Sequence, residues 1–279
     1  MKFILRLFVV ACILAGISVS AQNHFPAGLT AAEMNLYQKF SSLYKTRDVT
    51  LQNELNSQIM DTLESILRDP ISFEYQFDSL RWTARIYSPD RKLRFITWNI
   101  PAENGTHTYY GFLQYYPKKD QPCLVFRLYD KSPEISQPES ETLSTEKWWG
   151  ALYYEVLLNK YKGNRLYTII GYDLNDRYSN RKVIDVLTFK DNNIPVFGQP
   201  VFRIDGKLKD RVIFEYAEDV VMIVRFNEKM KMIVFDHLSP IDPALRNNPR
   251  FYAPDSSYDG LRFRKGLWEF IPDVDVRNP

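Results

Sequence analysis

The hydrophobic period of the chain changes once. Between residues 30 and 70, apolar positions recur at spacings of three and four: Leu36, Tyr37, Phe40, Leu43 and Tyr44, then Leu51, Leu55, Ile59, Leu63, Ile66 and Leu67. That spacing lines one face of a helix, so two amphipathic helices are expected. Thr30-Ala31-Ala32-Glu33 has the capping-box pattern and marks the first start. Asp48 offers an oxygen to the free N–H groups of the second helix, and Pro70 bounds it by pushing the preceding residue out of the helical region. The stripes, including Leu36, Phe40, Leu55 and Ile59, must be hidden from water, so the pair reads as a hairpin docked on the C-terminal remainder of the chain.

From Trp82 onward the chain consists of short aromatic and β-branched runs separated by Gly, Pro, Asn and Asp. Arg81 to Tyr87 and Leu93 to Asn99 flank Ser88-Pro89-Asp90-Arg91, and Tyr109 to Tyr116 and Cys123 to Tyr129 flank Pro117 to Pro122. Trp148 to Phe202 holds four more runs, broken at Lys162-Gly163-Asn164, Asp173 to Asn180 and Asp191-Asn192-Asn193. After these come Val212 to Tyr216, Val220 to Phe226, Met232 to Phe235, Leu261 to Arg264 and Leu267 to Ile271. About thirteen strand candidates, joined locally and without intervening helices, predict an antiparallel meander. Runs such as Tyr109 to Tyr116 and Val220 to Val224 are apolar on both faces, which calls for cover on both sides.

The expected fold class is therefore α+β, mainly β: an N-terminal two-helix hairpin packed on a large antiparallel meander, curled into a sandwich or a soluble barrel. A small β-propeller is the alternative, although no clean repeat of ~40 to 50 residues is visible. The polar and apolar alternation of an outer-membrane barrel is missing. The expected boundaries are 1–21 for a leader, 22–70 for the hairpin and 71–279 for the β domain. Within the β domain, 131–146 is rich in Ser, Pro and Glu and reads as a long loop, the natural place for a lid or an internal boundary.

At the N-terminus, Lys2 and Arg6 precede the apolar run Leu7 to Ile17 and the small residues Val19-Ser20-Ala21. This is the anatomy of a secretory signal cleaved after Ala21, and it predicts a periplasmic or secreted protein starting near Gln22. Val9-Val10-Ala11-Cys12 loosely resembles a lipobox, but the apolar core before Cys12 is too short for one. No later run approaches the ~18 apolar residues of a spanning helix. Lys2 and Arg6 account for the difference between 36 basic and 34 acidic residues, so the remaining chain is formally neutral. A neutral chain gives no footprint for nucleic acid or an anionic membrane. Cys123 is then the only thiol, which excludes an intrachain disulfide, and its apolar run marks it as a small buried hydrophobe.

The motifs of common chemistries are missing. There is no G-x-S-x-G, G-x-G-x-x-G, P-loop, H-E-x-x-H or C-x-x-C, so no metal or cofactor is expected. His24 lies in the lead-in, His107 opens a strand, and adjacent Asp236 and His237 should point to opposite faces. Asp173-Leu174-Asn175-Asp176 offers oxygens to calcium but lacks the EF-hand Gly and Glu, so a turn is the preferred reading. Asp173 with Asp185, or Asp236 with Asp259, would suit a glycosidase if about 5 to 9.5 Å apart.

Aromatic residues are the remaining signal, with 18 Tyr, 18 Phe and 5 Trp. In strands, Trp148-Trp149 and Tyr153-Tyr154 would each place one ring on either face, which leaves one of each pair open to a sugar ring or a protein, although most aromatics of this chain are expected in the core. The binding candidates are Trp148, Trp149, Tyr153, Tyr172, Asp173, Asn175, Asp176, Asp236 and His237. The expected function is a non-enzymatic envelope protein that binds a glycan or a protein partner. The alternative is a hydrolase using paired Asp or Glu carboxylates.

Five segments carry a resemblance: Lys147-Trp148-Trp149-Gly150-Ala151-Leu152-Tyr153-Tyr154, Gly171-Tyr172-Asp173-Leu174-Asn175-Asp176, Val183-Ile184-Asp185-Val186-Leu187, Pro195-Val196-Phe197-Gly198 and Phe235-Asp236-His237-Leu238. In these the chain resembles a group of uncharacterised exported proteins of Bacteroidota-type Gram-negative bacteria, over roughly 147 to 273. The resemblance implies a periplasmic or envelope setting and carries no catalytic residue with it.

Overall fold

The computed structural model describes residues 27–117 and 122–277. The leader reading, Cys12, Gln22 and His24 lie outside the described residues, as does most of the turn after Pro117. Two helices come first, α1 (Ala27–Leu43) and α2 (Val49–Leu67). Asp48 caps α2 as expected, its carboxylate accepting from the N–H groups of Thr50 at 2.8 Å and Leu51 at 3.2 Å. The capping box at Thr30 is not formed, because Thr30 already lies inside α1. Glu33 is instead buried and accepts from the Ser79 N–H at 2.6 Å and from the Tyr75 hydroxyl. It ties the helix to the segment that leads into the sheets.

The first sheet is a plain meander of β1 (Ala84–Tyr87), β2 (Leu93–Pro101), β3 (His107–Tyr115) and β4 (Leu124–Tyr129), in that order. The second begins as β5 (Leu152–Tyr161), β6 (Asn164–Asp173), β7 (Ser179–Lys190) and β8 (Ile194–Phe197). The chain then leaves it for the hairpin β9 (Phe202–Ile204) and β10 (Lys207–Lys209), and returns with β11 (Val212–Ala217), which pairs with β7. The strands β12 (Val224–Asn227), β13 (Met232–Pro240), β14 (Tyr252–Arg264) and β15 (Leu267–Ile271) complete a third sheet in the order β10-β9-β15-β14-β13-β12. The expected antiparallel, local meander holds with two departures: the excursion to β9 and β10, and one parallel pairing, β15 on β9. None of the three sheets closes on itself, so a stack of sheets forms and not a barrel.

Strand alternation sorts the residues into successive cores. On β2, Ile96, Trp98 and Ile100 face the helices and pack with Leu36, Phe40, Ile59 and Leu63, while Leu93 and Phe95 face the second sheet. On β6 and β7, Tyr167, Ile169, Val183 and Leu187 meet the first sheet, and Leu166, Ile170, Ile184 and Val186 meet the third. On β13, Ile233 and Phe235 face inward, while Met232 and Val234 are covered by Val274 of the C-terminal segment. The order of layers is helices, first sheet, second sheet, third sheet. Both faces of Tyr109–Tyr115 are covered as the sequence demands. Val220 to Val224 is different: only Val224 joins a strand, and Val221 and Ile223 are exposed.

The second helix is rotated slightly from its predicted stripe. Its buried residues are Asn56, Ile59, Met60, Leu63 and Leu67, with Leu55 and Ile66 at the margins and Leu51 exposed. The expected loop 131–146 is pinned down and does not stand free as a lid. Leu143 bridges Phe197, Glu139 takes the Lys209 ammonium at 2.7 Å, and the Arg211 guanidinium donates to the carbonyls of Pro138 and, at 3.0 Å, Glu141. Cys123 is buried as expected, and burial pushes its thiol up to about 11.

Leu63 is fully buried between the helices and the first sheet. Leu63→Ala is expected to cost about 2 to 5 kcal/mol and to lower the melting temperature of the whole protein in a single transition. Differential scanning calorimetry checks this, and a separate early transition for the helices would contradict the shared core.

Candidate binding groove

The residues nominated from sequence separate in the fold. Trp148 and Trp149 are both buried, because the segment that carries them precedes β5 and alternation does not apply to it. There Gly150 donates its N–H to Ser132 Oγ at 2.9 Å and packs so closely on Asp130 and Tyr109 that a Cβ would fall 2.5 Å from that of Tyr109. Trp148 Nε1 donates to the buried Tyr153 hydroxyl at 2.7 Å, and Trp149 lies beneath the Arg181 guanidinium. For the second pair the expectation holds: Tyr153 is buried and Tyr154 exposed. Tyr172 is half-buried beside Lys182, whose ammonium is 4.4 Å from the ring centre and whose pKa is lowered by burial.

Asp173, Asn175 and Asp176 build a turn. Asp173 is buried, accepting from the Tyr109 hydroxyl at 3.0 Å and the Asn175 N–H at 2.8 Å, and burial raises its carboxyl despite Arg181 nearby. Asn175 takes the left-handed conformation, and Asp176 accepts from the N–H groups of Tyr178 and Ser179 and from Arg250. These bonds occupy the oxygens that calcium would need, and no metal-binding cluster of His, Cys, Asp or Glu occurs among the described residues. The suggested carboxylate pairs are likewise engaged elsewhere. Asp185 is buried against Arg211 at 2.9 Å, Asp236 accepts from the Ile223 N–H at 2.6 Å, and Asp259 accepts from His237 at 2.7 Å.

A different place in the fold is open. A groove runs along the seam between α2 and the first sheet in two lobes of about 730 Å³ and 420 Å³ that share Asn53, Thr108 and Tyr110. Register explains its floor. Trp98, Tyr110 and Tyr129 are directly opposed on β2, β3 and β4, so their rings lie in one row on the face turned to the helices. Helix α2 covers the Trp98 end completely, Tyr110 is half-buried, and Tyr129 is 42% exposed.

Asn56 projects from α2 onto this row. It is 5% exposed, and its side-chain oxygen accepts from Trp98 Nε1 at 3.0 Å. An indole nitrogen can only donate, so this contact fixes which end of the amide is oxygen. The amide nitrogen is left with no acceptor among the described residues, and it opens on the smaller lobe. Neutral side chains of Asn53, Ser57, Thr108 and Tyr110 line the same lobe. The charges of this lobe are already matched: Arg127 with Asp61 and Glu64, Lys131 with Glu134, and Asp130 with N–H groups of Tyr109, Ser132 and Gly150. Arg47 and Glu103, which have no ion-pair partner among the described residues, line only the larger lobe. The arrangement can recognise a neutral polar ligand by hydrogen bonds and ring contact.

No family model, curated protein or solved structure matches the chain. No helix among the described residues is long and apolar enough to cross a membrane.

Asn56→Ala strands the buried Trp98 N–H and is expected to cost about 1 to 3 kcal/mol, whereas Asn53→Ala, on an exposed position, is expected to be nearly neutral; chemical denaturation compares them. A second prediction concerns pH. His237 is faced by Asp259 and Asp255 of β14 and by Asp273 of the C-terminal segment, and its hydrogen bond to Asp259 raises its pKa. A raised folded-state pKa makes the contribution of His237 full below about 6.5 and progressively lost as pH climbs through the raised value. The melting-temperature gap between the native protein and His237→Gln should therefore be widest near pH 5 and narrow above neutrality. A gap that widens with pH would reverse the sign. Asp255, held down to about 2 by the hydroxyls of Ser257 and Ser239, stays ionised across that window.

Proposed function

We propose that the protein is a non-catalytic binding protein of the cell envelope that holds a glycan in the groove between α2 and the first sheet. The observation that carries this reading is the Asn56 amide, nine-tenths buried, fixed by Trp98 and left with unpaired donors beside the Tyr110 and Tyr129 rings. The side chain is nearly enclosed while its unpaired nitrogen opens on the lobe, so a ligand there can accept from it in place of water. Rings next to neutral hydroxyl and amide groups suit a sugar, which has apolar ring faces and polar edges. The envelope setting is supported by the leader-like pattern of residues 1–21 and by the resemblance to exported proteins. A hydrolytic reading finds less support, since Asp130, the carboxylate that adjoins Tyr129 in the smaller lobe, is saturated by N–H and hydroxyl donors.

The test is titration calorimetry against a panel of neutral oligosaccharides, with product analysis after long incubation. Tyr129→Ala, which removes an exposed ring, is expected to weaken binding about three- to tenfold with an unchanged melt. Failure of every saccharide to bind at millimolar concentration, or accumulation of shortened products, would overturn the proposal.

A further inference from the structure

Resting on the glycan reading, the geometry points to a more specific ligand: we infer that the smaller lobe is an acetamido subsite, and that the groove takes a chain of N-acetylated amino sugars. Three observations carry it. The first is the kind of hydrogen-bonding group that is free. Asn56 offers N–H donors whose partner oxygen is already committed to Trp98, and the oxygens of Asp130 beside the lobe are occupied by four donors. A sugar hydroxyl both donates and accepts, so at this point its own proton needs an acceptor besides Asn56, such as the hydroxyl of Ser57, Thr108 or Tyr110. An amide carbonyl only accepts, and it pairs with the Asn56 donors with no proton of its own to place.

The second observation is the apolar neighbour. Met60 lies one helical turn beyond Asn56 on the same face of α2, is 7% exposed, and lines the same lobe. The methyl of an acetamido group sits next to its carbonyl, so a carbonyl received by Asn56 brings that methyl toward the thioether, a polarizable and adaptable contact. A hydroxyl in the same position would leave Met60 facing polar surface.

The third is length. The larger lobe alone, about 730 Å³, lies within the ~300 to 1,000 Å³ of an ordinary small-molecule cleft, and the second lobe continues it through Asn53, Thr108 and Tyr110. A single sugar unit occupies only part of one lobe. A chain that crosses Tyr110 fills both.

The experiment compares chitohexaose with cellohexaose, which has the same backbone and carries hydroxyl where chitohexaose carries acetamido, and with the deacetylated glucosamine hexamer. Binding to the full protein is measured by titration calorimetry. Chitohexaose is expected to bind about five- to tenfold more tightly than cellohexaose, the value of one matched hydrogen bond, and N-acetylglucosamine alone much more weakly than the hexamer. Asn56→Asp keeps the oxygen that Trp98 needs and removes the donors, so it should weaken chitohexaose more than cellohexaose and erase the difference between them. The ligand series is read on the native protein and stays decisive if that variant unfolds. Equal affinity for chitohexaose and cellohexaose would overturn the acetamido subsite and leave the glycan groove standing. A monosaccharide as tight as the hexamer would overturn the two-lobe chain. No binding by any of the sugars would overturn the glycan reading itself.

Discussion

The first and second sheets are each covered on both faces over most of their strands. Their central strands send odd and even residues into different cores, so each sheet depends on both neighbours. This makes the helices part of the β structure and not an attachment to it. They close the outer face of the first sheet over Ile96, Trp98 and Phe112, as the C-terminal segment closes the outer face of the third over Met232 and Val234. The groove arises where that closure is incomplete. Helix α2 covers one end of the row formed by Trp98, Tyr110 and Tyr129 and leaves the other end in solvent, so the groove is an uncovered continuation of the core.

Two buried cations fasten the layers together. Arg94 lies on the helix side of β2 with no carboxylate among its hydrogen-bond partners, and burial lowers its pKa. Its guanidinium instead donates to Gln114 at 2.6 Å, to the carbonyls of Ser72 and Tyr75 at 2.9 and 2.7 Å, and to the Tyr87 hydroxyl at 3.0 Å, with the Phe77 ring 5.3 Å away. Arg211, paired with Asp185 in the second sheet, also reaches the loop at 138–141. A charge removed from water is tolerated where partners hold it in a fixed geometry, as four residues do for Arg94 and as Asp185 with two loop carbonyls does for Arg211, whose second terminal nitrogen is left unpaired. Each arginine thus selects one arrangement of the chain segments around it.

The helices were legible because three- and four-residue spacing survives without knowledge of the tertiary structure, and because Asp48 and Pro70 act locally. The sheet content was legible for the same reason, down to the two-faced burial of Tyr109–Tyr115. Sheet membership was not, since nothing local tells the chain at Val212 to return to β7 after two strands spent elsewhere. The site was the least legible. Trp148 and Trp149 drew attention as a pair, yet Gly150 and Asp130 hold their segment out of the strand alternation on which the exposure argument relied. Asn56 left one faint mark, a lone amide three, four and seven residues before Ile59, Met60 and Leu63 on the buried stripe. Its meaning depends on Trp98, which is distant in sequence and adjacent only after folding.

The position of β15 has a consequence for the order in which the molecule can be assembled. That strand lies between β9 and β14, parallel to the first and antiparallel to the second, so among the described residues it alone links the β9–β10 hairpin to the rest of the third sheet. While the chain emerges from the ribosome, the helices and first sheet can come together early, since all of them lie within residues 27–129. The hairpin of β9 and β10 must wait, unpaired on one side, until the last strand arrives. Non-local pairings of this kind are slow to form and leave strand edges open in the meantime. A nascent or truncated chain that stops short of β15 therefore presents an unfilled slot in its third sheet, the part of the molecule most prone to pair with a strand from another copy.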